Sequence, residues 1–206
     1  MKNEFITSIT NELRQPLSPI AGFSDMLGSR EYDISPDERE QLSTIIKDNS
    51  KTITKMIDEM SELAYYESKK SLPMNYLWSP NYLCRYMVDS LRPLCKEGVR
   101  MFFETELEDS YEIKTNEEAV KALLSHLIHN ALQYTDKGVI TVKCSDFESN
   151  VRVSVTDTGK GIPEERREHV FDTFREMGVN QKLQGMGLSI CRAIVKLLGG
   201  KIWLDE

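Results

Sequence analysis

Three short stretches in the second half of the chain combine glycines with polar side chains. Asp157 opens an Asp-Thr-Gly-Lys-Gly sequence, and its carboxylate accepts hydrogen bonds only, so it selects an adenine amino group over a carbonyl. Gly159 and Gly161 permit a tight turn and a close approach of the backbone to a ligand. Asn130 offers a hard amide oxygen suited to Mg²⁺, and Gly185-Met186-Gly187 precedes an apolar helix whose free N–H groups suit phosphates. Together the three stretches predict a site for a purine nucleotide.

Each stretch taken alone also has an ordinary structural interpretation. The sequence at Asp157 is typical of a turn, Asn130 is typical of a helix end, and the glycines from Gly185 are typical of the start of a helix. Their order and spacing along one chain favour the nucleotide site over three unrelated loops.

At these residues the chain resembles the ATP-binding domain of sensor histidine kinases, whose fold is also used by gyrase, Hsp90 and MutL ATPases. The family's boxes follow in order from Glu118 to Glu206 and include a Phe box at Val170-Phe171-Asp172-Thr173-Phe174. The resemblance implies helices packed on a mixed sheet, with ATP and Mg as cofactors and Asn130 as the Mg ligand. The nucleotide-binding residues that it implies are His126, Asn130, Gln133, Tyr134, Asp157, Gly159, Gly161, Ile162, Arg175, Lys182, Gly185, Met186, Gly187 and Leu188.

The helix before Asp157 departs from the family pattern at two positions. His126 stands where the family more often has Asn, and it either touches phosphate and assists a proton transfer or is a surface histidine. Gln133 stands where the family prefers Lys, so one phosphate-facing charge is missing. Tyr134 matches the ring that packs on adenine, with an ordinary core position as the alternative.

The segment Met177–Gln184 is short and polar, without an apolar period, which is typical of a lid over a nucleotide. Arg175 and Lys182 are the cations nearest the expected phosphates, or are simply solvated. Leu183 falls where the family has the first glycine at the end of the lid. That change should stiffen the lid and hinder full closure over ATP.

The N-terminal third predicts two long helices. Apolar residues recur at helical spacing from Asn3 to about Leu27, with a kink expected at Pro16 and Pro19. Ser35 and Pro36 are typical of a helix start, and the second helix should run to about Lys69. Its apolar face is a heptad seam formed by Leu42, Ile46, Asn49, Ile53, Met56, Met60 and Leu63.

Such a helical hairpin leaves an apolar face open. A second copy of the chain would close this face as a four-helix bundle, so we expect a homodimer. Asn49 in the seam either sets the register of that bundle or faces solvent.

This hairpin also resembles a known module, the dimerisation and phosphoacceptor domain of the same kinases. Residues 5–17 match the family's acceptor box, and Ala21-Gly22-Phe23-Ser24 and the stretch near Glu67 follow in the expected order. The resemblance therefore covers nearly the whole chain. It implies the receiver domain of a response regulator as partner.

Position 11 of the acceptor box departs from the family. The family has the histidine that takes the γ-phosphoryl group from ATP, and this chain has Asn11. An imidazole attacks phosphorus with a free ring lone pair, whereas the lone pair of an amide nitrogen is delocalised into its carbonyl. Asn11 therefore cannot form the phosphoramidate, and Glu12, which resembles the carboxylate that accepts the ring proton, has no ring to serve. Asn11 is either natural or introduced, and the residues do not decide which.

Gln15 lies one helical turn from Asn11 and stands where the family usually has Thr or Asn. In the family this position orients the water that hydrolyses a phosphorylated receiver aspartate, and a glutamine amide has the donor and acceptor atoms for that task. The alternative is an inert, solvated side chain.

The predicted fold class is α+β, with a helical hairpin followed by an α/β sandwich of helices on a mixed sheet. We assign residues 1–72 to the hairpin, the irregular stretch 73–80 to a linker and 81–206 to the ATP-binding domain. In that domain a helix is expected over Tyr82–Lys96, and Thr115 or Asn116 should cap the helix that carries Asn130. The expected strands are Val99–Glu104, Tyr111–Lys114, Val139–Cys144, Val151–Val155 and Lys201–Glu206. The family pattern would continue with a Gly-rich turn and a final strand, and a sensory part would precede the hairpin.

The composition narrows the class of protein and its location. A formal net charge of -7 over 206 residues argues against a nucleic acid or an anionic membrane as partner. No apolar run approaches the roughly 18 residues of a membrane span. We therefore expect a cytoplasmic protein, or the cytoplasmic part of a sensor whose membrane segment lies upstream. The four cysteines are widely spaced and predict reduced, packed thiols rather than a metal site.

The hypothesis that follows is the catalytic core of a two-component sensor histidine kinase, an ATP-dependent phosphotransferase with an altered acceptor. Its ATP would phosphorylate the histidine of a partner chain, or Gln15 would assist dephosphorylation of a receiver. One alternative is an ATP-sensing docking module without chemistry. Another is a gyrase-like ATPase, which is disfavoured because those enzymes use Glu to activate water where this chain has His126.

Overall fold

The computed structural model describes residues 2–29, 32–74, 76–148, 150–172 and 186–205. These residues form two compact units. The first contains the chain up to Ala64, together with Asp172 and Met186. The second runs from Tyr65 to Phe171 and resumes at Gly187.

A helical hairpin makes up most of the first unit, as predicted. Helix α1 spans Lys2–Gly28 and continues through both internal prolines, and α2 spans Pro36–Ser68. A capping box begins α2: the Ser35 hydroxyl accepts from the Glu38 N–H (3.3 Å), and the Ser35 N–H donates to Glu38 Oε2 (2.9 Å). These bonds satisfy donors that a helix start leaves free, so they define where α2 begins.

The predicted seam of α2 is only partly covered within one chain. Leu63 is buried, and the other seam residues are half-buried. Beside the seam, Ile45 and Ile57 are 39% and 51% exposed, and Leu17 of α1 is 49% exposed. Asn49 is half-buried, and its amide donates to the Ile45 carbonyl one turn earlier at 2.8 Å. Its side chain therefore has a hydrogen-bond partner on its own helix.

The second unit is built on a three-stranded mixed sheet. Its strands are β2 (Val99–Thr105), β4 (Gly138–Phe147) and β5 (Asn150–Asp157), in the order β2-β4-β5. Strand β2 runs parallel to β4, whereas β5 runs antiparallel to it. Since Ile140 pairs with Asp157, the register places Asp157 beside the start of β4.

Helices α3 (Pro80–Leu91) and α4 (Glu117–Tyr134) pack on this sheet and complete the sandwich. Helix α6 (Gly187–Leu197) packs on α4, and α5 (Glu164–Arg167) is a short helix after β5. The core between helices and sheet includes Leu83, Cys84, Val88, Leu124, Ile128, Ile140, Val142 and Cys144, all at most 2% exposed. Asn116, one of the two predicted caps, begins α4 by accepting from the Ala119 N–H at 2.9 Å.

Two elements near the start of the second unit differ from the sequence-based expectation. Tyr76–Trp78, assigned to an irregular linker, forms strand β1 and pairs antiparallel with β3 (Ile113–Thr115). The helix expected over Tyr82–Lys96 begins at Pro80 instead, with Ser79 as its cap, and ends at Leu91. Pro93 explains the early end, because proline disfavours α-helix at the preceding residue and lacks an N–H; a short 3₁₀ turn, Arg92–Leu94, follows.

The predicted last strand is also absent from the described residues, because 201–205 have no strand pairing. This segment contacts β5 through side chains instead. The Arg152 guanidinium pairs with the Asp205 carboxylate and lies 5.2 Å from the ring centre of Trp203. The consecutive apolar residues Ile202, Trp203 and Leu204 alone therefore did not suffice to form a strand here.

Candidate nucleotide-binding site

Helix α4 carries four of the predicted site residues: His126, Asn130, Gln133 and Tyr134. His126 is half-buried on the side of α4 that meets α6. A methyl group built on Gly187 would lie 3.3 Å from His126 Nδ1, so the first turn of α6 abuts this histidine. The Cys191 thiol, one turn further along α6, contacts the Leu123 carbonyl oxygen at 3.8 Å. The start of α6 is therefore held beside the middle of α4.

The Asp157 carboxylate stands exposed at the end of β5, with one oxygen already engaged. Oδ1 accepts from the Gly159 N–H at 2.8 Å and from the Thr135 hydroxyl at 3.4 Å. Neither donor uses Oδ2. A carboxylate with one oxygen held by the protein and the other left for a ligand can accept a hydrogen bond from an amino group.

The turn after Asp157 lies directly on the C-terminal end of α4. A side-chain carbon on Gly159 would collide with the Tyr134 carbonyl oxygen, and the Lys160 N–H donates to that same oxygen at 3.4 Å. Gly161 has a φ of +69°, in the left-handed region that favours glycine. Both glycines are therefore required by the path of the turn.

Tyr134 presents its ring to this turn. The side chain is half-buried, and Lys160 Nζ lies 4.7 Å from the ring centre, within the range of a cation–π contact. Tyr134 was among the predicted nucleotide-binding residues, whereas Lys160 and Thr135 were not. The available signal for Thr135 was a hydroxyl directly after Tyr134, where α4 ends.

Asn130 and His126 lie one helical turn apart on α4. Asn130 is half-buried on α4. Across the described ranges there is no group of three or more Asp, Glu, His or Cys residues that could cage a metal. A single amide oxygen of this kind suits Mg²⁺, which keeps most of its waters and bridges to phosphate oxygens.

The remaining predicted residues have more ordinary surroundings. Gln133 is exposed, and its backbone carbonyl accepts a hydrogen bond from Lys96 Nζ at 3.3 Å. Leu188 is half-buried in the first turn of α6. The Ile162 carbonyl accepts from Arg167 Nε at 3.2 Å. Met186 belongs to the first unit, where its N–H donates to Glu59 Oε2 at 3.1 Å. The predictions that lie outside the described residues are Thr173, Phe174, Arg175, the lid Met177–Gln184 with Lys182 and Leu183, and Gly185.

The acceptor-box residues lie on α1 in the first unit. Asn11 and Gln15 are both exposed, one helical turn apart on the same face, and Glu12 is half-buried. The face that should carry an imidazole therefore presents two amide side chains.

The N-terminal and C-terminal parts of the chain each match a known protein family. Residues 115–206 match the model described as histidine kinase-, DNA gyrase B-, and HSP90-like ATPase, and residues 1–69 match the His Kinase A (phospho-acceptor) domain. The catalytic domain of histidine kinase ThkA is 32% identical, with 62% of this chain and 85% of that domain covered and a TM-score of 0.51. The chain belongs to the histidine kinase family. The predicted resemblance and the predicted fold class are confirmed.

Two further relatives cover the whole histidine kinase core. The sensor histidine kinase YvrG of Bacillus subtilis (strain 168) is 28% identical over 100% of this chain and 36% of that protein. ThkA in complex with the response regulator protein TrrA is 27% identical and superposes with a TM-score of 0.76 over 98% of this chain and 57% of that one. This histidine kinase core thus spans about a third of the length of YvrG. Its residues 115–206 form the ATP-binding domain of the family.

Within the described part of the chain, no helix of the histidine kinase core combines the length and the apolar character that crossing a bilayer requires.

Proposed function

We propose that this chain binds Mg-ATP in its second unit and acts in a two-component phosphorelay without phosphorylating itself at position 11. The observation that carries the proposal is the Asp157 carboxylate. The Gly159 N–H and the Thr135 hydroxyl hold Oδ1, and Oδ2 is left to accept a hydrogen bond from the amino group of adenine.

Several groups around Asp157 would serve the rest of the nucleotide. The Tyr134 ring offers an aromatic face for the base. The first turn of α6 presents backbone N–H groups and the positive end of a helix dipole to phosphates. Asn130 would hold Mg²⁺, which neutralises phosphate charge when bound. The half-buried His126, between Asn130 and the start of α6, would lie next to the phosphates.

The absence of self-phosphorylation follows from the chemistry of Asn11. The side chain is exposed on α1, so access is not the obstacle. Its amide nitrogen has no free lone pair to attack the γ-phosphorus, and Glu12 next to it has no ring proton to take. A phosphoryl group from ATP must therefore go to a histidine on another chain, if it is transferred at all.

Labelling with γ-labelled ATP tests this proposal on the unchanged chain and on Asn11→His, with Asn11→Gln as the matched control. We expect all three to bind Mg-ATP, and only Asn11→His to gain label, as a phosphoramidate that is lost in acid and kept in base. Label on the unchanged chain would contradict the proposal. If all three bind ATP and Asn11→His also stays unlabelled, position 11 is not the only obstacle to the reaction.

The partners follow from the two modules. The open apolar face of the hairpin, with Leu17, Ile45 and Ile57 exposed, favours a homodimer that closes a four-helix bundle. The ThkA–TrrA complex supports a response regulator as the second partner. Both ATP and receivers are cytoplasmic, so we place this part of the protein in the cytoplasm. Light scattering that gives a monomer mass at micromolar concentration would contradict the dimer.

A second candidate function is a receiver phosphatase. Gln15 is exposed one turn from Asn11 on the same face of α1, where its amide can orient a water molecule against an aspartyl phosphate. The test is the rate of phosphate loss from a receiver domain phosphorylated with acetyl phosphate. The unchanged chain should accelerate this loss of phosphate, Gln15→Ala should not, and Gln15→Asn should. Equal rates with and without the unchanged chain would exclude this function.

A further inference from the structure

Thr135 is a polar residue buried beneath the candidate adenine site. It ends α4, where its N–H donates to the Ala131 carbonyl at 3.0 Å. Its side chain is 0% exposed, although hydroxyl residues usually remain at the surface. Burying a hydroxyl without a hydrogen-bond partner is costly, so the O–H of Thr135 is expected to donate to a nearby acceptor.

The partner of this hydroxyl is Asp157. Thr135 Oγ1 donates to Oδ1 of Asp157 at 3.4 Å, from inside the unit, while the carboxylate itself is exposed. The contact joins the end of α4 to the end of β5, 22 residues later in the chain. The distance is long for a hydroxyl–carboxylate pair, so this bond is the weaker partner of the 2.8 Å bond from the Gly159 N–H.

Two donors on one oxygen restrict how the carboxylate can turn. The terminal torsion of an aspartate is broad when nothing holds it. The Gly159 N–H approaches from the adjacent turn, and the Thr135 hydroxyl approaches from the buried side. Together they favour the torsion in which one carboxylate oxygen faces these two donors and the other faces the ligand.

We propose that Thr135 is a specificity-determining positioning residue, which holds Asp157 in the orientation that distinguishes an adenine amino group from a carbonyl. This inference rests on the proposed ATP binding. The hydroxyl does not touch the nucleotide in this scheme, because Asp157 lies between them. Its effect should therefore appear in the preference for one base over another rather than in binding to phosphate.

Calorimetry of the whole chain with Mg-ATP and with Mg-ITP, whose base shows a carbonyl instead of the amino group, tests the inference. Thr135→Val keeps the shape and removes the hydroxyl, and Thr135→Ser keeps the hydroxyl. We expect Thr135→Val to lose about three- to tenfold in ATP affinity with no loss for ITP, since one hydrogen bond to a charged acceptor is removed. Thr135→Ser should stay within about twofold of the unchanged chain for both nucleotides.

The outcomes separate the possible roles of the hydroxyl. An equal loss for ATP and ITP would make Thr135 merely structural, and no change for either would remove it from the site; both results overturn the inference. If circular dichroism shows that Thr135→Val is unfolded, Thr135→Cys, a weaker donor of similar size, replaces it against Thr135→Ser. If the unchanged chain gives no heat of binding with Mg-ATP, the proposed function itself is refuted. If the unchanged chain binds Mg-ATP and Thr135→Val keeps the same preference for ATP over ITP, only the inference about Thr135 is refuted.

Discussion

A methyl group at position 159 should damage the turn on which the candidate site depends. In Gly159→Ala the new carbon would collide with the Tyr134 carbonyl oxygen and would lie 2.7 Å from Asp157 Oδ1. Both obstacles are difficult to move, because the first is backbone at the end of α4 and the second is held by the Gly159 N–H. The turn itself must therefore shift away from α4.

The cost can be estimated from these contacts. Overpacking of this kind costs about 1–3 kcal/mol. A shift of the turn also lengthens the 2.8 Å bond from the Gly159 N–H, and a bond to a charged acceptor contributes about 1.5–3 kcal/mol. Since Asp157 is exposed and water replaces part of the lost bond, we expect a total loss of about 2–4 kcal/mol. This lies within the stability of an ordinary domain, so the variant should fold.

Gly161→Ala is the matched control two residues away. Gly161 has a left-handed φ of +69°, but nothing lies within 4 Å of a carbon added there. Its loss should be limited to the cost of that backbone conformation, about 1–2 kcal/mol. Urea unfolding followed by circular dichroism measures the stability of each variant, and calorimetry with Mg-ATP measures binding.

The relative stability of Gly159→Ala and Gly161→Ala tests whether the contact between Gly159 and the Tyr134 carbonyl limits the turn. Gly159→Ala should be the less stable protein and should lose at least tenfold in ATP affinity, because Asp157 loses its main donor. If Gly161→Ala is equally or more destabilised, the close approach of Gly159 to Tyr134 does not limit the turn. Native stability and native affinity in Gly159→Ala would refute the reasoning outright.

Two further predictions concern titratable groups outside the site. Hydrogen bonds from the Ser35 side chain and backbone hold the pKa of Glu38 below its ordinary range, so the stabilisation is present at neutral pH and is lost as the pH falls through the lowered pKa. Urea midpoints of the unchanged chain and Glu38→Gln should therefore differ at pH 7 and converge as the pH falls through the lowered pKa, whereas a constant gap would contradict the capping role. A hydrogen bond with Cys144 and burial both raise the pKa of Cys84, and these two sulfur atoms lie 3.3 Å apart in the core. Iodoacetamide at pH 8 should therefore modify the half-buried Cys95 first, as mapped by mass spectrometry, and equal labelling of Cys84 would show that the core opens.

The hairpin was predictable because its signals are local. The heptad spacing of α2 and the Ser35–Glu38 capping box lie within a few residues of each other, and the structure has a helix of nearly the predicted length. The prediction of an irregular linker over residues 73–80 failed because the structure there depends on pairing with a segment that is distant in the sequence. Strand β1 exists because Tyr76 pairs with Thr115, and no pattern within residues 73–80 specifies that pairing.

The candidate site divides in the same way. Residue types alone determined that position 11 cannot accept a phosphoryl group and that an Asp-x-Gly-x-Gly turn, an asparagine and a helix start suit a nucleotide. Only the tertiary structure decided that Thr135 lies beneath Asp157, that Gly159 rests on the Tyr134 carbonyl, and that one carboxylate oxygen is already engaged. Chemical reactivity belongs to a side chain wherever it lies. The direction in which the Asp157 side chain is held depends on atoms that folding brings to the end of β5 from the end of α4.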